Sequence, residues 1–488
     1  MTSGFPEEFQ EEDKGQGRPE RSQDMKHSDI IIIGGGAAGL MAAAGAAGIF
    51  RDNGCGKTVT VLEKMPRPGR KIMITGKGRC NITNTRQWNE FSGHIHPKAN
   101  CLKHAFFNLD TAKTIEFFNR NGLDTVVERG DRVFPASHSA ADVVDTLVKA
   151  VTSAGAYIET GNGVSEIHVT ANRDENSGRP EFTIKCRNGK EYSCSRLVIA
   201  TGGLSYPGTG STGDGYIWAR QFKHTVRTCF PSLTAVVPEG YKILSGNGQS
   251  SGDTSHTPGQ DAARLRGHID RALPLSDTGS ALNGNQIKNI SLTLFIDGHP
   301  VQEEFGDIDF TDGGIEGPAG FRISRRCVCA LSNGAKASVS IDLKPAVEET
   351  ALDKRINALW HEIATDRRSQ GKTYDERFRV LLGKLLPFTL VPGFIRCNRN
   401  IDHKTLARRL KNWKMDIRGY VGYERCVITA GGVATDEISP KTMESKICPG
   451  LYFAGEILDM DGDTGGYNLQ TAFSTGMLAG QSAAGSLI

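Results

Sequence analysis

Apolar positions along this chain fall into short, fully apolar runs that end in glycine turns and alternate with stretches of helical period. Ile30 to Ile33 are four consecutive β-branched residues, the pattern of a central parallel strand buried on both faces. Gly34, Gly36 and Gly39 follow in G-x-G-x-x-G spacing, and an alanine-rich helix opens at once. In such a unit the glycines supply a tight turn, close approach of backbone to a pyrophosphate, and close helix–strand packing. The helix N-terminus adds free N–H groups and the positive end of its dipole. A second apolar run, Thr58 to Leu62, ends in Glu63, an acid placed to accept hydrogen bonds from an adenosine ribose. Strand, glycines, helix, strand and acid in this order predict a dinucleotide-binding unit.

The short-run pattern recurs. Leu197 to Ala200 ends in Thr201-Gly202-Gly203, and Leu451 to Ala454 leads into Gly455-Glu456, so two more buried strands bring glycine turns to the same ligand. Asn188-Gly189 centres a β-hairpin, and Val164 belongs to a strand that passes the adenine. Helical period marks residues 111–121, and again a segment opening at Ser139 or Ala140 with Val143, Val144, Leu147 and Val148 on one face. Asp214-Gly215 opens another helix after a loop dense in Gly, Ser and Thr. Beyond Pro231 the character changes. AVVPEG, SLTLFIDG, FGDIDF and KASVSIDL are short strands that together predict an inserted β-barrel or sandwich. Residues 241–285 are polar and read as a long flexible insertion. Residues 346–415 read as helical, and a final helix follows Gly465-Gly466-Tyr467-Asn468. The N-terminus of that helix offers a positive dipole end to negative charge on a bound ligand.

Composition narrows the reading. Residues 30 to 50 carry no charge and are long enough to cross a membrane. Glycine and alanine dominate them, three adjacent glycines break a helix at its start, and the flank is acid-rich, so a membrane span is rejected. A formal charge of +3 gives no reason to expect nucleic acid or an anionic membrane as the main partner. The 11 cysteines have no framework spacing and no secretion signal precedes them, which predicts a reducing cytosol. Cys327 and Cys329 are expected as two buried thiols. Residues 1 to 27 are polar and read as a disordered tail.

Candidate chemistry gathers after Glu63. KMPRPGRKIMITGKGRCNITN is dense in glycine and basic residues, as a loop wrapping an anion would be. Gly76, Gly78, Lys71 and Arg79 suit phosphates or a ring, and Thr75, Asn81, Thr83 and Asn84 add neutral donors and acceptors. Cys80 has no partner cysteine a few residues away and reads as a packed thiol. His94 and His96 suit metal ligation by type, but no carboxylate or thiol cluster accompanies them, so no metal is expected. Arg408, Arg409, Lys411 and Lys414 read as a solvated helix face rather than a site for an NADPH phosphate.

Eight segments, from IIIIGGGAAGLMAA through GRKIMITGKGRCNITN, RVFPAS, LVIATGGLSYPGTGSTGDGY, FTDGGIEGPAG, ITAGGV and TMESK to LYFAGEILDMDGDTGGYNLQTAFSTG, closely resemble the BaiN-like or aminoacetone-oxidase-like family of FAD-dependent oxidoreductases. The resemblance implies an α/β fold: a Rossmann-like FAD-binding domain from both ends of the chain (28–232 and 426–488), an inserted β-barrel (233–345) and a small helical domain (346–425). It implies FAD contacts at Gly34, Gly36, Gly39, Glu63, Lys64, Thr201, Gly202, Gly455, Glu456 and Asn468, with the loop Thr75 to Asn84 close by. The full expected cofactor set adds Ala38, Lys71, Thr75, Gly78, Arg79, Asn81, Asn84, Val164, Gly203 and Gly466. Arg79, Tyr206 and Tyr467 are the candidates for catalytic groups near the ring. The expected reaction takes hydride from NAD(P)H through FAD to a small organic acceptor such as a conjugated ketone. Its rivals are an amine oxidase using oxygen, an RNA-binding flavoprotein, and a non-catalytic one. The missing second βαβ nucleotide unit and C-x-x-x-x-C pair count against a disulfide reductase.

Overall fold

A computed structural model of the chain describes residues 25–170, 181–244 and 266–488. At its centre five parallel strands run in the order Leu451–Phe453, Arg196–Ile199, Ile30–Ile33, Val59–Leu62, Tyr157–Glu159. All four isoleucines of the first run are buried, as a strand covered on both faces requires. The helix Ala37–Asp52 packs along the terminal helix Tyr467–Gly485. Small residues set that approach. A Cβ on Gly476 would lie 2.2 Å from the Ala38 carbonyl oxygen, and one on Gly480 would lie 2.0 Å from that of Ala42. The first and last elements of the chain are thereby joined in one core.

The hairpin around Asn188-Gly189 forms as expected and pairs with Val164–Thr170. Lys26–His27, placed in the disordered tail by the sequence reading, instead adds a parallel edge strand to that hairpin. The remainder of the tail lies outside the described residues.

The inserted strands close a barrel in the order Val236–Pro238, Gly314–Glu316, His299–Thr311, Gln286–Ile296, Ala337–Asp342, Trp413–Tyr420. The helix expected through residue 415 stops at Lys411, and Trp413–Tyr420 closes the barrel instead. Trp413, Met415 and Ile417 point inward while Lys414, Asp416 and Arg418 face outward. That period of two wins over the helical pattern just before it. The flexible-insertion reading also needs correcting at its edges. Tyr241, Ile269 and Leu282 are core residues, and Ser276 caps a short helix Asp277–Leu282; residues 245–265 lie outside the described residues. Helices Glu349–Thr365 and Tyr374–Leu385 share the barrel's core through Leu352, Ile356, Leu381 and Leu382. Cys327 is buried as expected, but Cys329 is exposed.

Candidate functional site

A long cleft opens at the carboxyl ends of four of the five central strands, where Ile33, Leu62, Ala200 and Ala454 line it. The connections leave the first strand toward one neighbour and return to the other, so this is the topological switch point at which open α/β sheets bind ligands. Gly36 from the front of the chain and Glu456 from its end line this one cleft.

Each glycine of the first turn has a distinct surrounding. Gly34 adopts φ +106°, and a Cβ there would sit 2.5 Å from the Ala200 carbonyl oxygen. A Cβ on Gly39 would sit 1.8 Å from the Gly34 carbonyl oxygen. Gly36, the N-cap of the first helix, has ordinary extended backbone, and a Cβ there would meet nothing within 4 Å, so a side chain would project into the cleft. The cradle fits a pyrophosphate beside a helix N-terminus. Arg67 and Arg70 line it, and neither forms an ion pair among the described residues. Glu63 accepts the Gly35 and Met65 N–H groups, one on each oxygen, both at 2.7 Å. One lone pair or more remains on each oxygen for a ribose. Burial raises the Glu63 carboxyl above its ordinary range, against the opposing pull of those two hydrogen bonds. Val164, Ala38 and Thr201 line the same stretch, and the Thr201 hydroxyl is buried without a hydrogen-bond partner.

Two lysines reach into the middle. Lys64 donates to Thr212 and pairs with Asp214 at 2.6 Å. Lys71 pairs with Glu456 at 2.5 Å and also donates to Ser205. Glu456 accepts the Thr429 N–H at 2.9 Å and the Ser205 hydroxyl. These contacts tie the loop after Glu63 to the turn after the last strand.

At the far end, the turn Asp463–Gly466 opens the terminal helix and lines the cleft. Asparagines hold that turn. Asn468 accepts the Gly462 N–H at 2.7 Å and donates back to the Gly462 carbonyl at 2.8 Å. Asn84 donates to the Gly465 carbonyl at 3.1 Å, and Asn81, with its amide turned to suit its neighbours, accepts the Gly466 N–H at 2.9 Å. Thr75, Asn81, Gly202, Gly466 and Asn468 line the cleft; Gly39, Gly78, Asn84, Gly203 and Gly455, expected to contact the cofactor, do not line it.

None of the three expected catalytic groups lines the cleft. Arg79 pairs with Glu128 and lies 4.4 Å above the Phe134 ring, which does line it. Tyr206 is held at φ +52° with its N–H on the Tyr423 carbonyl, and burial raises its hydroxyl above the usual range. Tyr467 is buried between Phe91 and His94, ring centroids 4.9 and 4.6 Å away, and its hydroxyl is pushed up to about 12 by burial. Cys80 is fully buried, its thiol pushed up to about 12 by burial, which suits a packed group.

Sequence reasoning did not single out Arg67, Arg70, Arg132, Phe134, Asn162 or Asp463 as site residues, yet all line the cleft. Asp463 also supplies the carboxylate that His94 and His96 lacked in the sequence. It lies 2.8 Å from His94 Nδ1 and 3.2 Å from His96 Nε2. Among the described residues no group of three or more His, Cys, Asp or Glu is arranged to hold a metal, and no helix is long and apolar enough to cross a membrane.

The family described as HI0933-like protein Rossmann domain matches residues 28–482. The chain belongs to that family. It is therefore an FAD-dependent oxidoreductase, and the cradle at Gly36, the ribose-ready Glu63 and the orphaned Thr201 hydroxyl fit FAD. The chain is 30% identical over 461 residues to a 3-dehydro-bile acid delta(4,6)-reductase of Clostridium scindens, covering 93% of this chain and 98% of that protein. It is also 30% identical over 462 residues to a ribosomal RNA dihydrouridine synthase of Escherichia coli, covering 94% of this chain and 98% of that protein.

Proposed function

We propose that this family member takes hydride from NAD(P)H and delivers it to a carbon–carbon double bond conjugated with a carbonyl in a small organic acceptor. The observation that carries the reading is the single cleft gripped by both chain ends, together with the named activity of the bile-acid reductase relative. When bound, the isoalloxazine supplies the hydride acceptor and donor. The chain's own residues bind and orient. The N–H groups around Gly36, with Arg67 and Arg70, would hold the pyrophosphate, and Glu63 would hold the adenosine ribose. Glu456 and Lys71 would hold the ribityl chain, and the turn Asp463–Gly466, at the N-terminus of a 19-residue helix, would stabilise negative charge on the ring. Arg79 acts on the ring region only through Phe134, and Tyr467 only by packing.

The test is anaerobic. Purified holoprotein is mixed with NADH or NADPH, and the visible flavin band is followed. Bleaching, then recovery on adding a conjugated steroid enone, is the expected result. Failure to bleach with either nucleotide refutes the reductase reading and makes amines with oxygen the next substrates. Saturation of uridine in ribosomal RNA is the same class of double-bond reduction, so a uridine-containing RNA belongs in the acceptor panel; recovery with RNA but not with enones would overturn the small-acceptor part of the reading.

A further inference from the structure

Beside the glycine turn, Asp463 accepts from two imidazoles that come from a distant part of the chain. A carboxylate only accepts, so His94 must present Nδ1–H to it and His96 must present Nε2–H. The two histidines then differ. His94 Nε2, left with its lone pair, faces the Arg86 guanidinium at 3.4 Å, which can only donate. Tyr467 stacks on the His94 ring at 4.6 Å and fixes it there. Both ring nitrogens of His94 are thereby engaged. Nδ1 of His96 has no hydrogen-bond partner among the described residues, and about a third of its side chain is exposed. His96 can take a proton from solvent without breaking a contact.

We propose that His96 is a proton-linked charge partner of the flavin site: its protonation changes the charge of the Asp463–His96 pair at the cleft wall from −1 to 0 and so raises the reduction potential of bound FAD as pH falls. The proton stays on the imidazole. Burial alone would raise the Asp463 carboxyl, but the hydrogen bonds from His94 and His96 outweigh it and bring it to about 2, so Asp463 remains an anion across the working range. Histidine is the side chain that changes charge between pH 5 and 8. The other charged groups around the pair are Arg86 with its partner Asp131, Glu90 near Tyr467, and Asp461 with Arg325 behind the His96 strand. Arg325 is bound to Asp461, and Arg86 to Asp131, so neither cation neutralises Asp463 in place of His96. Two-electron reduction adds negative charge to the cofactor, and neutralising the adjacent carboxylate favours it.

The inference rests on the FAD reading above. The test compares wild-type holoprotein with His96→Gln, which keeps a donor for Asp463 but takes no proton, and with His94→Gln. The midpoint potential of bound FAD is measured against reference dyes at pH 5.5, 7 and 8.5. The three proteins should agree at pH 8.5. At pH 5.5 wild type and His94→Gln should show a reduced-to-oxidised ratio about tenfold above that of His96→Gln, about 30 mV for a two-electron couple. Parallel plots for His96→Gln and wild type overturn the proposal and leave the FAD reading intact. Absence of bound flavin from wild type overturns both. Should His96→Gln fail to fold, Asp463→Asn serves: its potential should lie above wild type at pH 8.5, and equality there refutes the coupling.

Discussion

Replacing Gly36 by valine separates binding from folding at the turn on which the site depends. Gly36 sits at φ −85°, ψ −168°, a backbone open to any residue, and a Cβ there meets nothing within 4 Å. The apo fold should therefore lose less than about 1 kcal/mol, the cost of a poorer helix N-cap. The valine methyls occupy the cradle. Losing two backbone N–H contacts to a charged pyrophosphate removes about 3–6 kcal/mol, on the order of a hundred- to ten-thousand-fold in Kd for FAD. The two flanking glycines give the contrast. A Cβ on Gly34 or Gly39 strikes a backbone carbonyl at 2.5 or 1.8 Å, so Gly34→Val and Gly39→Val should fail as folds, not merely as binders. The assay pairs flavin-to-protein absorbance after gel filtration with thermal unfolding of flavin-free protein. Gly36→Val should be colourless with a near-native apo Tm. Stoichiometric FAD in that variant, or a loss of apo stability matching Gly39→Val, would refute the assignment of the cradle.

Three other perturbations test the site's electrostatics. Lys71→Met leaves Glu456, only 12% exposed, without its cation, and should cost about 1–3 kcal/mol in thermal unfolding together with FAD retention; an unchanged Tm would show the pair to be energetically idle. Arg325→Met strands Asp461, whose side chain is 1% exposed, and should destabilise by about 3 kcal/mol at neutral pH. Burial holds the Asp461 carboxyl above its ordinary value, so the folded state gains a proton first as pH falls; denaturant unfolding of Arg325→Met should therefore improve relative to wild type on going from pH 7 to pH 5, and a constant deficit would count against it. Asp463 behaves oppositely: its carboxyl is lowered from 3.8 to about 2, so its contribution of about 2 kcal/mol is present above pH 4 and lost as pH falls toward 2. Asp463→Asn should flatten the acid limb of the unfolding curve in that window, which urea titrations at stepped pH would show.

What could be read from the sequence was what depends on near neighbours in the chain. The run Ile30–Ile33, the three glycines and Glu63 fall within one supersecondary unit, and local spacing fixes their positions. The barrel was legible only as a cluster of strands. Its closing strand Trp413–Tyr420 carries a clear alternation, but it follows the helix Leu406–Lys411 with a single residue between, and a helical reading runs straight across that junction. Candidate catalytic groups fared differently. Arg79, Tyr206 and Tyr467 stand out by residue type beside glycines, yet the direction of each side chain is set by partners elsewhere: Glu128 and Phe134 for Arg79, Tyr423 for Tyr206, Phe91 and His94 for Tyr467. The same long-range contacts supplied the carboxylate that His94 and His96 lacked in the sequence.

Those contacts also bear on why the chain interrupts its nucleotide domain with a barrel. The strand Leu451–Phe453 must return to the edge of the central sheet after the insertion, and the residues that follow it, Glu456 and Asp463–Asn468, complete the cleft. Arg325, on the barrel helix Gly317–Ser332, bonds Asp461 through one nitrogen to both carboxylate oxygens at 3.2 and 2.9 Å. Asp461 pairs in register with His96, and Asp463 lies two residues further on. A rotation of the barrel that stretched the Arg325 contact would expose a buried carboxylate unless the strand Asp461–Gly462 moved with it. That strand leads into the turn Asp463–Gly466, which lines the cleft. Arg325 thus ties the barrel helix to the strand that leads into the cleft-lining turn, and the Ser232 hydroxyl, which donates to Asp461 at 3.1 Å, holds the same carboxylate.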